Sequence, residues 1–278
     1  MKPFIPTDLR ALHIRGPDAV AYIQSQVTLD LTAMSPQRFY PAAWCDPKGR
    51  AITVILIACR QDHVMAVIPK SQLDTTASRL KMYSIGRKVQ FSAAEPFSAR
   101  ILDDERSPES LDEDWHRLSF DLGRAICVDP VSHRNIEFNP LYDQLWQEAD
   151  LASRLPWLSP DTTGLFIPQM LGLETLEGLS YHKGCYPGQE VIARVHYRGK
   201  VTRKTVAFEI DTTESAPAVK QLDLGNQQGI VLYALKKSRN IVQGLAVVPV
   251  AVEHDRRFNW NNAEGRLIAL HSGTEAPR

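Results

Sequence analysis

The densest group of reactive side chains in this 278-residue sequence is the stretch Tyr181-His182-Lys183-Gly184-Cys185-Tyr186-Pro187-Gly188-Gln189-Glu190-Val191-Ile192-Ala193-Arg194. A cysteine becomes a nucleophile or a metal ligand when its surroundings favour thiolate over thiol. A nearby lysine, a histidine and a following helix N-terminus all act in that direction. Lys183 and His182 lie beside Cys185, and the glycine- and proline-bearing loop leads into a predicted helix. Glu190 falls in the first turn of that helix, Arg194, His196 and Arg198 in its last turns, and Gly199 supplies a stop, the charge order that the helix dipole favours. Glu190 and Arg194 are also spaced i, i+4. Gly184 and Gly188 allow unusual backbone angles or close approach by a ligand. On residues alone, a reactive thiol and an inert loop cysteine both remain open.

The neighbours of Cys185 carry structural readings as well. Gly184 and Gly188 can serve loop geometry alone, Tyr186 can pack as an anchor, Glu190 can favour the helix start, and Lys183 can be a solvated charge. The basic run Arg194, His196, Arg198, Lys200, Arg203 and Lys204 faces water, an anionic small molecule or a phosphate backbone. The other cysteines, at 45, 59 and 127, form no C-x-x-C pair with one another or with Cys185. That spacing argues against a zinc site or a disulfide framework, and no metal is expected. Cys59 and Cys127 read as small buried hydrophobes.

The elements that position these residues come from periodicity. The chain has 44% hydrophobic and 23% charged residues, enough for two or three domains, and Lys plus Arg (32) balances Asp plus Glu (32). No global field therefore draws it to nucleic acid or to an anionic membrane. The N-terminal residues lack a signal-peptide core. The longest apolar stretch, Ala51 to Cys59, falls short of the roughly 18 residues a membrane span needs. A soluble, cytoplasmic protein is expected.

Leu12-His13-Ile14 reads as a strand and residues 17–30 as a helix, with Pro17 and Asp18 in its first turn. Asp46-Pro47-Lys48-Gly49 is a turn signal. Ala51–Ala58 is a buried strand that forms a hairpin with His63–Ile68. A helix follows to Gly86 with Ser71 as its N-cap, giving the order β, α, β, β, α. Residues 103–115 are acidic and aperiodic and read as a surface loop. Beyond residue 200, β-rich runs at Thr205–Ile210, Gly229–Leu235 and Gly244–Val252 suggest a small barrel or sandwich. The expected domains are 1–200 and 201–278, with Gly273–Arg278 disordered.

The string Lys-Gly-Cys-Tyr-x-Gly-Gln-Glu at 183–190 resembles the signature of the YgfZ family of folate-binding proteins. Phe166-Ile167-Pro168-Gln169 and Tyr197-Arg198-Gly199 resemble that family too. So do Gly16-x-Asp18-Ala19, Gln24-x-Gln26-Val27-Thr28-x-Asp30 and Asp46-Pro47-Lys48-Gly49-Arg50. The similarity spans roughly residues 12–203 and weakens beyond.

The resemblance implies an α+β cloverleaf of two interleaved α/β domains plus a C-terminal β-barrel. This architecture is related to T-protein, the aminomethyltransferase of the glycine cleavage system. It implies tetrahydrofolate or a derivative in a central channel, and a role in assembly or repair of iron-sulfur enzymes, including tRNA-modifying ones. Cys185 is then the functional residue, with Lys183, Tyr186, Gln189, Glu190, Arg194 and Arg198 as the folate-binding set. The partners implied are a folate and iron-sulfur client proteins, with neither a membrane nor direct nucleic-acid contact. One departure stands out. T-protein carries a catalytic aspartate after the corresponding glycine-bearing turn, whereas this chain reads Gly49-Arg50-Ala51-Ile52-Thr53-Val54-Ile55 with no carboxylate. Aminomethyl transfer needs an acid or base beside the folate nitrogen, so aminomethyltransferase activity ranks second. A non-enzymatic adaptor with a vestigial folate pocket is the remaining alternative.

Overall fold

The computed structural model describes residues 2–92, 95–102, 114–128, 136–216, 219–253, 255–261 and 263–268. The first strand, β1 (Leu9–Arg15), is followed by α1 (Ala19–Gln24), β2 (Arg38–Cys45), β3 (Ala51–Arg60), β4 (His63–Pro69), α2 (Leu73–Tyr83) and β5 (Gln90–Phe91). Next come β6 (Ala99–Ile101), β7 (Trp115–Leu118), β8 (Asp121–Cys127), α3 (Pro140–Ala152) and α4 (Gln189–Arg198). All eight strands share one sheet in the order β5-β1-β4-β3-β2-β7-β8-β6. Its neighbours run antiparallel except where β2 meets β7 in parallel. That parallel pair joins the two halves. The chain start interleaves them, since Phe4 exchanges backbone hydrogen bonds with Ala99 of the second half before β1 enters the first.

The unbroken apolar run of β3 follows from cover on both faces. Val54, Leu56 and Ala58 face a core shared with α3 and the segment 155–192, while Ile52, Ile55 and Ile57 face α1 and α2. The remaining strands are β9 (Arg203–Asp211), β10 (Gln221–Asp223), β11 (Gln228–Lys236), β12 (Ile241–Pro249), β13 (Arg257–Trp260) and β14 (Ala263–Ile268). They close a barrel in the order β10-β11-β12-β9-β14-β13. Alternation along β12 sends Val242, Ala246 and Val248 into the barrel and Leu245 and Val247 into the main core. With Ala207 of β9 and Leu232 of β11, which join the same core, this strand fastens the barrel to the rest of the chain.

Three expectations change. The helix expected over 17–30 stops at Gln24. The carbonyls of Gln24, Val27 and Leu29 turn inward to the Lys183 ammonium, and Thr28 is drawn off by hydrogen bonds to Gly178 O and Ala43 N. Ser71 does not cap α2. It lies in a 3-10 turn (Lys70–Gln72), and Gln72 is the N-cap residue, without a side-chain cap bond; the helix ends at Tyr83. The loop expected over 103–115 falls outside the described residues up to 113, and Trp115 already belongs to β7. The sequence pattern also passed over β2, whose Pro41 interrupts the strand signal. Gly273–Arg278 lies outside the described residues. No helix among the described residues is long and apolar enough to cross a membrane.

Candidate functional site: the Cys185 loop and a separate cavity

The segment bearing Cys185 is held from beneath by its own motif. Lys183 is only 7% exposed. Its Nζ donates to the carbonyls of Gln24 (2.5 Å), Val27 (2.7 Å) and Leu29 (2.6 Å) and lies 5.2 Å from the centre of the Tyr186 ring. Asp30 sets the shape of this cage by accepting from Gln24 Nε2, Thr32 N and Thr32 Oγ1. The Asp30 carboxyl is held below its usual value, chiefly by the Thr32 hydroxyl. Burial pushes the Lys183 ammonium down to about 8, with the Asp30 charge opposing.

A second fastening lies on the other side of the cysteine. Gly188, at φ +79°, is the N-cap of α4. A Cβ on it would stand 2.4 Å from Gly49 Cα and 2.6 Å from Asp46 O. Such close backbone contact is open only to glycine. It seats the Asp46–Gly49 turn against the start of α4. The turn is itself rigid, with the Asp46 carboxylate accepting from the amides of Lys48 and Arg50. From within, Gln169 Nε2 donates to Ile192 O at 2.8 Å.

Between these anchors Cys185 is exposed, whereas Cys45 and Cys127 are buried and Cys59 is partly so. Burial pushes the Cys59 thiol up to about 12 and the Cys45 thiol further. Tyr186 is buried, with its hydroxyl donating to Ser180 O at 3.4 Å, and Gln189 Nε2 donates to Lys183 O at 3.2 Å. Glu190, Arg194 and Arg198 are exposed along α4. The structure keeps the seven residues singled out in the sequence on one continuous segment, the Cys185 loop and α4. It divides them into a buried frame (Lys183, Tyr186, part of Gln189) and an exposed face (Cys185, Glu190, Arg194, Arg198). The Lys183 charge is directed to backbone carbonyls. The helix cap lies three residues beyond Cys185.

Beside His196 on α4, the Tyr181 and His196 rings stack at 3.7 Å between centroids. The Tyr181 hydroxyl bonds to the Glu174 carboxylate, and His196 Nδ1 lies 3.4 Å from the same carboxylate. Burial raises the Tyr181 pKa, with Glu174 adding to it.

A cavity of about 560 Å³ opens where the start of β1, the end of β4, α3 and β11 meet. None of the seven residues lines it. Its walls include Trp146, Trp157 and Tyr233, with Asp8, Asp143 and Lys70 among the polar groups. Asp150 at its floor is fixed by Arg124 Nη1 (2.5 Å) and Trp157 Nε1 (2.8 Å). The sequence reading missed this cavity because its walls come from separated segments without a motif. Asp143, Trp146 and Asp150, at i, i+3 and i+7, share one helical face and were the available signal.

No family model matches this chain. Curated relatives do. An uncharacterized protein of Haemophilus influenzae is 29% identical, covering 81% of this chain and 79% of its own. The tRNA-modifying protein YgfZ of Hamiltonella defensa is 26% identical over 95% and 88%, and that of Yersinia enterocolitica 28% over 80% and 74%. The chain is similar to YgfZ proteins over most of its length. Among solved structures, aminomethyltransferase T of the glycine cleavage system from Bartonella henselae superposes with a TM-score of 0.67. The match covers 96% of this chain and 85% of that one at 15% identity. At that identity the likeness is one of fold, and the α+β arrangement of a mixed sheet and a closed barrel is that of the aminomethyltransferase.

Proposed function

We propose that this chain is a YgfZ-type protein, a cytoplasmic folate-binding factor that supports iron-sulfur enzymes, including those that modify tRNA, and that Cys185 carries its chemistry. One observation carries the reading. Among four cysteines, the motif cysteine alone is exposed, on a loop fixed on both sides by residues of the same family signature. A loop held this firmly presents a thiol in a defined place, as a reacting group requires.

The fold of the aminomethyltransferase implies a folate, and the chemistry of the cavity suits one. Its volume lies within the range for small-molecule sites. Trp157 and Tyr233 offer faces for a pterin or benzoyl ring, the carboxylates of Asp8 and Asp143 suit the ring's N–H donors, and Lys70 suits a glutamate tail. In this reading 1–200 and 201–278 act as the folate-binding and barrel domains. Aminomethyl transfer ranks second. The stretch 49–55 that resembles the T-protein turn offers Thr53 or Val54 in place of the aspartate; Thr53 is buried with its hydroxyl directed to Val54 O, and neither is an acid or base.

Calorimetric titration of the reduced protein and of Cys185→Ala with tetrahydrofolate and 5-formyltetrahydrofolate tests the proposal. Saturable binding by both, with Cys185→Ala failing to restore a strain lacking the protein, is the expected result. Absence of binding by the wild type sinks the folate reading and leaves an adaptor.

A further inference from the structure

We propose that the face around Cys185 is a contact surface for RNA, with Lys48, Arg194, Arg198 and Lys200 receiving phosphates and Tyr197 receiving an unstacked base. The sequence shows these cations in two segments more than 140 residues apart, one a turn and one a helix end. The Gly49–Gly188 contact joins those segments, because the turn carrying Lys48 packs on the first turn of the helix that carries Arg194 and Arg198. The nucleic-acid expectation drawn from the sequence weighed the helix-end run by itself. The folded chain adds the turn.

The side chains are free to act. Lys48, Arg194, Arg198 and Lys200 are exposed and form no ion pair among the described residues. Arg50, also exposed, donates to Gly164 O at 3.3 Å. Of the acids nearby, Asp46 accepts from backbone amides, and Glu174 is engaged by Tyr181 and His196. Glu190 and Glu177 remain on the surface. With all four carboxylates counted as charged, the five cations Lys48, Arg50, Arg194, Arg198 and Lys200 leave the face cationic by one.

Tyr197 distinguishes this face from a plain solvated patch. It is 61% exposed, and it is braced edge-on by Tyr181 (6.2 Å) and His196 (4.7 Å), rings that already stack on each other. A held aromatic ring among cations is the arrangement by which proteins take single-stranded or looped RNA. The charges follow the backbone and the ring stacks a base. An acidic protein partner would use the cations but has no need of a braced, outward aromatic ring.

The inference rests on the proposed role in tRNA modification and names RNA as a direct ligand of the same face. The probe is an unmodified tRNA transcript, followed by fluorescence anisotropy against the full chain. Saturable binding at about 50 mM salt is expected, with log K falling against log salt at a slope of about −3 for four phosphate contacts. The double variant Lys48→Glu/Lys200→Glu lowers affinity at least about tenfold and flattens that slope, and Tyr197→Ala lowers affinity without changing the slope. Circular dichroism melts identify any variant that fails to fold, and Lys48→Gln/Lys200→Gln then takes its place. No saturable binding at low salt, as for a surface that takes an acidic protein, overturns the proposal. So does binding that the charge reversals leave within about twofold. Folate titration of the wild type is read separately. Its failure removes the folate reading and leaves the RNA result standing, and the converse holds as well.

Discussion

Lys183 Nζ lies 2.7 Å from the Val27 carbonyl oxygen, joining positions 156 residues apart. With the carbonyls of Gln24 and Leu29 it completes a cage in which the two most recognisable stretches of the sequence, 24–30 and 183–190, become one structure. Lys183→Met leaves three carbonyls of a largely buried turn without their donor. The expected cost is about 2 to 4 kcal/mol by urea unfolding. Faster amide exchange should be confined to residues 24–31 and 180–190. A loss below about 0.5 kcal/mol, the ordinary range for a surface lysine, would reject the cage as a structural element.

The same ammonium gives a pH dependence of definite sign. Burial lowers its pKa to about 8 from the ordinary value of 10.5. Between those values the unfolded chain holds a proton that the folded chain has released. The proton-linked part of the Lys183 contribution, separate from the hydrogen bonds of the cage, is therefore fully present above the unfolded value and is lost as pH falls through about 8. Urea unfolding across that window should show stability rising more steeply with pH for the wild type than for Lys183→Met. Equal slopes would refute the shift.

Gly188→Ala tests the other fastening. The added methyl meets backbone on two sides, at 2.4 Å and 2.6 Å, and the residue already stands at φ +79°. Neither neighbour is a flexible side-chain end that can swing away. A loss of about 2 kcal/mol or more is expected, against a few tenths for Gly184→Ala, whose Cβ meets nothing within 4 Å. Similar losses at the two glycines would mean that the turn does not bear on the helix.

This pair of glycines also shows how far the sequence was legible. A motif marks both as special, and the turn at 46–49 and the helix from Gln189 are readable from local signals. That the two touch is a tertiary fact with no local signature. The early end of α1 has the same origin, since its periodicity runs past Gln24 and only a lysine far along the chain diverts the backbone. Strand β3 was legible because its apolar run is continuous. The cavity was not, because Asp8, Lys70, Trp146 and Tyr233 approach one another only after the sheet and barrel have packed.

Arg124 is buried and ties that cavity's floor to the second half of the sheet. It donates to Asp121 Oδ2 (2.6 Å) and Asp150 Oδ1 (2.5 Å) and lies 4.7 Å over the Trp146 ring. Arg124→Ala strands a buried carboxylate, so a loss of about 3 to 5 kcal/mol is expected. Adding Asp150→Asn removes the uncompensated charge and should recover part of it. A double variant no more stable than Arg124→Ala alone would show that packing of the guanidinium, and not its charge, is what the site requires.

Alkylation of the folded protein separates the cysteines by access. Cys185 is exposed, Cys45 and Cys127 are buried, and burial pushes the Cys59 thiol to about 12. Only thiolate reacts, so at neutral pH a modest excess of iodoacetamide should modify Cys185 first, and the other three only after denaturation. Cys185→Ser should remove the fast phase and leave stability within about 0.5 kcal/mol, since its side chain supports no part of the core. Mass spectrometry of the peptides reads the result directly. Labelling of Cys59 as fast as Cys185 would show that the β3–β4 hairpin opens readily, and would undercut the view that the exposed loop alone presents a usable thiol.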